Sequence, residues 1–345
     1  MANCSITQVA VAKALGLAQS TVSMALRDHP SIAKATREEI QTAARNMGYH
    51  PNHTAVSLAR LKRKGIRGSV AWFNCWANPE RLRQFREFDL YWEGATAAAA
   101  ELGYRIEEYV VNTPSLIASS EKLLRARGVE GILLSPGFLP TGWKSFNWED
   151  FAVIRFSGPA HETEATFRSV TSNQFGNTLL AMQRMREKGY QRIGFVGLEG
   201  TSRLFGAGFH WGQREVSVEN RIPILLLPDA TEQEWQILFG NWFRETRPDA
   251  LLTDVSLLPK LLVRMGRHFP QEIGMATLNT LDCPIDTGIF TNPREVGYTA
   301  MSTLGGLIET RSFGVPQNSS QLLIDGTWVD GSSLPLRPTE ELAVS

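Results

Sequence analysis

Across residues 16–26, GLAQSTVSMAL, the apolar side chains Ala18, Val22, Ala25 and Leu26 recur at helical spacing and share one side. The other side carries Gln19, Ser20, Ser23 and Arg27, with Met24 set among them. Upstream, Val9, Ala10, Ala12 and Ala14 predict a helix over about 7–14, followed by the turn Leu15-Gly16-Leu17 and a second helix over about 18–27. Asp28-His29-Pro30 stops that helix, because proline has no amide hydrogen and restricts the residue before it. A third segment, AKATREEIQTAARNMGY, buries Ile40, Ala44 and Met47 and ends at Gly48. Two helices joined by a short turn containing glycine follow the helix-turn-helix plan, in which the second helix enters the DNA major groove.

The segment 51–66 reads as a hinge: HTAVSLAR is a weakly apolar helix, too short to be stable alone in water, and leads into the basic run RLKRKGIR. From residue 68 the texture changes. GSVAWFN (68–74), RIEEYVV, EGILLSP, FAVIRFSG, RIGFVG, DALLTDV and EIGMATLN read as strands. Between them lie helical lengths near 82–102, in SLIASSEKLLRARG and QFGNTLLAMQRMREKG, over 232–246 and in LLPKLLVRMGRHF. Apolar strands alternating with helices predict parallel sheets covered on both faces. Their number predicts two α/β lobes. The short tail after Ser333 carries no heptad pattern and offers no coiled-coil helix for tetramer formation.

Charge sharpens this division. The 345-residue chain is neutral overall, but residues 1–67 hold ten Lys/Arg against three acids, +7, and the other 278 hold 25 against 32, −7. A basic head on an acidic body points to a polyanionic partner. Cys4, Cys75 and Cys283 stand far apart, in no metal or disulfide spacing, and suit a reducing cytoplasm. Lys13 interrupts the only apolar run near the N-terminus, so no signal peptide is predicted, and no stretch is apolar enough to span a membrane. Catalysis finds little support. GAGFHWG (206–212) lies several residues beyond its strand and lacks the acid that a dinucleotide fold places on the ribose, and HETEA (161–165) lacks the second histidine of a zincin. No metal site and no cofactor are expected.

Taken together, SITQVAVAKALGLAQSTVSMALRD, ATREEIQTAARNMGYHPN and AVSLAR resemble the DNA-binding head and hinge of the LacI/GalR transcriptional regulators. The resemblance continues through ELGY, GVEGILLSP, KGYQRIGFVG, FTNPREVGYTAM and LLIDGTWVDGSSL, landmarks of that family's periplasmic-binding-protein-like domain. It implies a small all-α helix-turn-helix head (1–50), a hinge helix (51–66) and a two-lobed α/β effector-binding and dimerisation domain with parallel sheets (67–345). Lobe crossovers are expected near 158–165, 289–294 and 320–326.

By the same resemblance, Gln19, Ser20 and Met24 occupy the principal base-reading positions, with Thr21, Ser23 and Arg27 on the same DNA-facing surface. Gln suits adenine, Ser several bases, and an apolar tip the thymine methyl. Position 24 commonly carries arginine in the family, so Met24 implies less dependence on guanine. Leu58 matches the minor-groove wedge, Ala55 the contact beside it and Asn52 a phosphate contact; an apolar wedge unstacks bases and bends the duplex toward the protein. Lys62, Arg63 and Lys64 supply long-range attraction. Ala18 and Ala33 stand where the family usually has serine N-caps. For the effector cleft the resemblance implies Trp76, Ser135, Ser157, Phe205, Thr253, Asn279 and Thr291. Phe205 replaces the family's arginine and Asn279 its late aspartate, so a neutral cleft is expected, with Arg155 and Arg203 as the charged groups that would change this.

The reading is a cytoplasmic, nucleoid-associated homodimeric repressor, not an enzyme, that binds a pseudo-palindromic double-stranded DNA operator. Its effector is a small polar uncharged molecule such as a saccharide. The alternative is a DNA-binding regulator whose vestigial cleft answers to a protein partner or to nothing.

Overall fold

The computed structural model describes residues 8–26, 32–47, 67–137, 139, 142–156 and 167–337. The chain divides into two compact units, Met1–Gly65 and Ile66–Ser345.

In the first unit, α1 (Gln8–Leu15), α2 (Gln19–Ala25) and α3 (Lys34–Asn46) enclose a core of Val11, Ala12, Val22, Ala25, Ile40 and Ala44. Small side chains let the helices approach closely, and Leu15, Leu26, Ile32 and Met47 seal the edges. The α1–α2 turn depends on Gly16 at φ +63°, a left-handed conformation that a side chain would strain, and Leu17 N–H closes it on Ala12 O at 2.9 Å. Gln41 ties α3 to the end of α2 by donating to Ala25 O at 3.0 Å. Ala18 and Ala33 occupy the N-caps in extended backbone without a side-chain hydrogen bond. Ala18 is exposed, which removes it from the apolar side on which the helical spacing placed it.

The second unit contains two six-stranded sheets. The first lobe orders its strands β11-β5-β4-β3-β1-β2, all parallel, from β1 (Gly68–Asn74), β2 (Tyr104–Val110), β3 (Gly131–Leu134), β4 (Ala152–Arg155), β5 (Arg168–Ser172) and β11 (Gln321–Ile324). The second orders them β12-β10-β9-β8-β6-β7, from β6 (Ile193–Leu198), β7 (Leu225–Leu227), β8 (Ala250–Thr253), β9 (Gly274–Thr277), β10 (Gly288–Phe290) and β12 (Thr327–Val329). Only β12 runs antiparallel to its neighbour. Each lobe has a core on both faces of its sheet, which is why β1, β3, β4, β8 and β9 read as nearly continuous apolar runs.

Helix α4 (Arg86–Leu102) follows a 3-10 turn at Pro79–Gln84, so the single helix expected near 82–102 begins later, after Phe85 adopts extended backbone. Further along the chain come α5 (Pro114–Ala126), α6 (Gln174–Glu187), α7 (Arg203–Gly212), α8 (Glu232–Thr246), α9 (Leu258–Arg264) and α10 (Pro293–Glu309). Helices α4 and α10 cross at paired glycines. A Cβ on Gly94 would lie 2.0 Å from Arg294 O, and one on Gly297 would lie 2.0 Å from Tyr91 O.

The chain passes between the lobes at Asn173, at residues 291–292 and at 325–326. The first passage falls beyond the 158–165 expected from sequence, because β5 still pairs in the first sheet. Side chains stitch the three passages together: Asn173 Nδ2 donates to Asp325 Oδ1 at 2.7 Å, and Asn292 Nδ2 to Asp325 O at 2.8 Å.

Candidate effector cleft and DNA-reading surface

Open parallel sheets gather ligands at the carboxyl ends of their strands. Here the segments that follow those ends meet around the first turn of α4. Three residues there were not singled out from sequence, and one of them organises the rest. Glu87 Oε2 accepts from Asn279 Nδ2 at 3.0 Å, and its Oε1 accepts from Thr291 Oγ1 at 2.8 Å and Tyr91 Oη at 3.4 Å. Asp282, from the loop after β9, accepts Arg86 N–H at 2.7 Å and Glu87 N–H at 3.1 Å. Those are orphan donors of a helix N-terminus, and Phe85 at the N-cap offers them no side chain. A side chain of one lobe therefore caps a helix of the other.

Burial raises the Glu87 carboxyl to about 7; the Thr291 and Tyr91 hydrogen bonds oppose that rise, and the nearby Asp282 charge adds to it. Burial, together with the adjacent Glu87, pushes the Tyr91 phenol well above its ordinary value and keeps it a donor. The neutral cleft expected from the loss of the family's arginine and aspartate is thus corrected: a carboxyl group enters it from α4.

The expected cleft residues divide into distinct groups. Asn279 and Thr291 converge on Glu87. Trp76 donates through Nε1 to Pro136 O at 2.6 Å and packs against Phe85 and Phe88, with ring centroids 5.5 and 5.9 Å away. Phe88 and Tyr91 extend this aromatic wall to Phe156, stacked on Tyr91 at 5.1 Å. Ser135 is buried, its Oγ accepting Cys75 N–H at 3.4 Å. Thr253 is fully buried and commits its hydroxyl to Val196 O and Val255 N–H. Phe205 is half-buried on α7 and packs on the second lobe's core. Ser157 lies outside the described residues. Arg155 is buried and donates to Gly137 O at 2.9 Å, whereas Arg203 is exposed at the start of α7.

Beside Thr253, Asp254 accepts from the buried Ser202 Oγ at 2.6 Å, and burial raises its carboxyl to about 6 against that bond. Its Oδ1 is buried with no hydrogen-bond partner among the described residues. The GAGFHWG stretch lies within α7 and its last glycines serve packing. A Cβ on Gly208 would meet Phe175 O at 2.7 Å, and one on Gly212 the Met182 sulfur at 2.5 Å. A groove of about 860 Å³ on the second lobe, lined by Ile237, Phe243, Arg247, Pro248, Met265 and Ile273, sits at the amino ends of β8 and β9, opposite the cleft.

In the head, Gln19 and Ser20 are exposed on the first turn of α2, while Thr21, Ser23 and Met24 are half-buried along it. Val22 and Ala25 turn inward. Arg27, Asn52, Ala55, Leu58 and Lys62–Lys64 lie outside the described residues, as does the 51–66 hinge. Among the described residues no helix is long and apolar enough to cross a membrane, and no cluster of ligating side chains could hold a metal.

Three helices on the helix-turn-helix plan, followed by two lobes joined by three crossings, define a periplasmic-binding-protein-like domain with a DNA-binding type of head. Residues 9–52 match the model for bacterial regulatory proteins of the lacI family. The transcriptional regulator TreR of Salmonella typhimurium is 24% identical over 221 residues, 63% of this chain and 65% of its own length, just under two thirds of that relative. A complex of the transcriptional regulator CelR with cellobiose superposes with a TM-score of 0.58 at 17% identity, covering 95% of this chain and 99% of that one. The lac repressor dimer bound to operator and an anti-inducer gives 0.54 at 15% identity, covering 96% and 99%. Residues 9–52 thus carry a head of the lacI type, and the domain that follows shares its fold with these solved regulators.

Proposed function

We propose that the protein is a sequence-specific DNA-binding transcriptional regulator and not an enzyme, a cytoplasmic repressor that binds a pseudo-palindromic operator as a homodimer. The observation that carries this is the lacI-type head, which presents Gln19 and Ser20 to solvent at the start of its second helix. Gln19 is suited to the N6 and N7 groups of adenine and Met24 to a thymine methyl. Leu58 is the proposed minor-groove wedge, with Asn52 and Ala55 beside it. Two heads reading a palindrome require two chains.

The cleft around Trp76, Asn279 and Thr291 is the proposed effector site, taking a small polar uncharged molecule such as a saccharide. An aromatic wall beside amide and hydroxyl groups supports this reading, as do structural neighbours solved with cellobiose and with ribose. An effector acts by binding one arrangement of the lobes better than another. Selecting duplex DNA from a random pool at near-physiological salt tests the regulator reading: enrichment of one palindrome with salt-dependent affinity supports it, and a folded dimer that enriches nothing counts against it.

A further inference from the structure

In this structure the cleft is satisfied by the chain itself. Asn279 and Thr291 both spend their donors on Glu87, and Asp282 holds the turn that carries Glu87 by two backbone hydrogen bonds. The neighbouring threonines of the second lobe turn inward: Thr253 Oγ1 donates to Val196 O and Thr277 Oγ1 to Asn279 O. Glycine-mediated packing of α4 on α10 fixes where Glu87 arrives, since Gly297 abuts the backbone of Tyr91, one turn along from it.

We infer that Glu87 is a tethered occupant of the cleft that holds the lobes together without effector and selects, by exchange, ligands carrying several hydroxyl groups and no negative charge. The inference rests on the cleft being the effector site proposed above. A ligand that enters must offer acceptors to Asn279 and Thr291 and donors to Glu87. A hydroxyl group does both. A phosphate or carboxylate offers acceptors only and sets a like charge beside Glu87 and Asp282, while an ammonium offers donors only.

The titratable groups facing Glu87 are Tyr91 on its own helix and Asp282 from the second lobe. Because the carboxyl is raised to about 7 when the lobes are together, closure takes up a proton. Closure is therefore most favoured below the carboxyl's ordinary 4.5 and weakens as pH rises from there to about 7.

The test compares the full-length protein with Glu87→Ala, Glu87→Gln and Asp282→Asn, first without ligand. Small-angle scattering and tryptophan emission at pH 6 should show Glu87→Ala opened, its closed-to-open ratio reduced about tenfold or more, the scale of the two lost hydrogen bonds to Asn279 and Thr291. Glu87→Gln should stay closed and lose the pH dependence. Asp282→Asn, which leaves one acceptor in place of two for the Arg86 and Glu87 N–H groups, should open in the same direction by a smaller factor and carries the test if the alanine variant fails to fold. Glu87→Ala or Asp282→Asn as closed as the unaltered protein overturns the inference. Cellobiose, ribose and glucose 6-phosphate are then compared by shift in melting temperature. Stabilisation by a neutral sugar and none by the phosphate ester is expected, and equal stabilisation by the ester overturns the charge selection. Opening of the variants with no shift from either neutral sugar leaves Glu87 as the lock and instead counts against the effector reading.

Discussion

The head and the two-lobed domain solve the packing problem with opposite materials. The head rests on alanines, two valines and Ile40, and its second and third helices begin without side-chain caps. The domain buries Trp72, Phe73, Phe151, Phe156, Phe195, Phe209 and Phe239 completely, and α8 begins with a full capping box between Thr231 and Glu234. The difference teaches where change is tolerated. In the head a small core leaves the polar face of its second helix outward, the face proposed to read DNA. In the domain a large core carries close backbone contacts that leave little room for substitution.

The largest expected effect follows from those contacts. Gly94→Ala places a methyl group against Arg294 O and should cost the two-lobed domain about 3 kcal/mol, the upper part of the usual overpacking range. Urea unfolding followed by tryptophan fluorescence checks it, and because all nine tryptophans lie in the domain, the head is silent. Next comes pH. Glu87 has a folded value of about 7 against an ordinary 4.5, so it favours folding below 4.5 and that contribution is lost as pH rises to 7, by at most about 3 kcal/mol. Glu87→Gln should flatten this slope. The smaller slope from Asp254, in the same direction and ending near its value of about 6, should remain.

On the head, Gln19→Ala should weaken the selected operator by about 1–3 kcal/mol without shifting the domain's unfolding. Met24→Arg should move the preference at its base pair toward guanine, read by repeating the selection. The smallest effect has the opposite sign. Ala18→Ser and Ala33→Ser should each stabilise the head by about 1 kcal/mol, visible in the far-ultraviolet melting of its helices.

Much of this was legible because local chemistry agreed with the tertiary outcome. β1 and α8 span 68–74 and 232–246 as their patterns predict, the helix begun by Thr231 and the strand built around the apolar run Val70–Phe73. Strands β7, β10 and β12 are three residues long and too short to show a period, so they passed unread. Helix α7 was hidden by its glycines, which look like a loop until α6 is seen packed against them. Asn279 and Thr291 were within reach as cleft candidates because the family resemblance, with strand ends counted, points to them. Glu87 could not. An acid in a helix's first turn is ordinary, since it complements the helix dipole, and its partners lie 192 and 204 positions away in the chain.

The stitching of the three crossings by Asn173, Asp325 and Asn292 has a mechanical corollary. Three separate tethers would let one body twist, slide and rock upon the other. Bolted side by side they behave as a door hinge, with a single axis and one stiff direction of swing. An effector held in the cleft as proposed would be translated into one number, an angle, and a reader downstream would receive that angle alone.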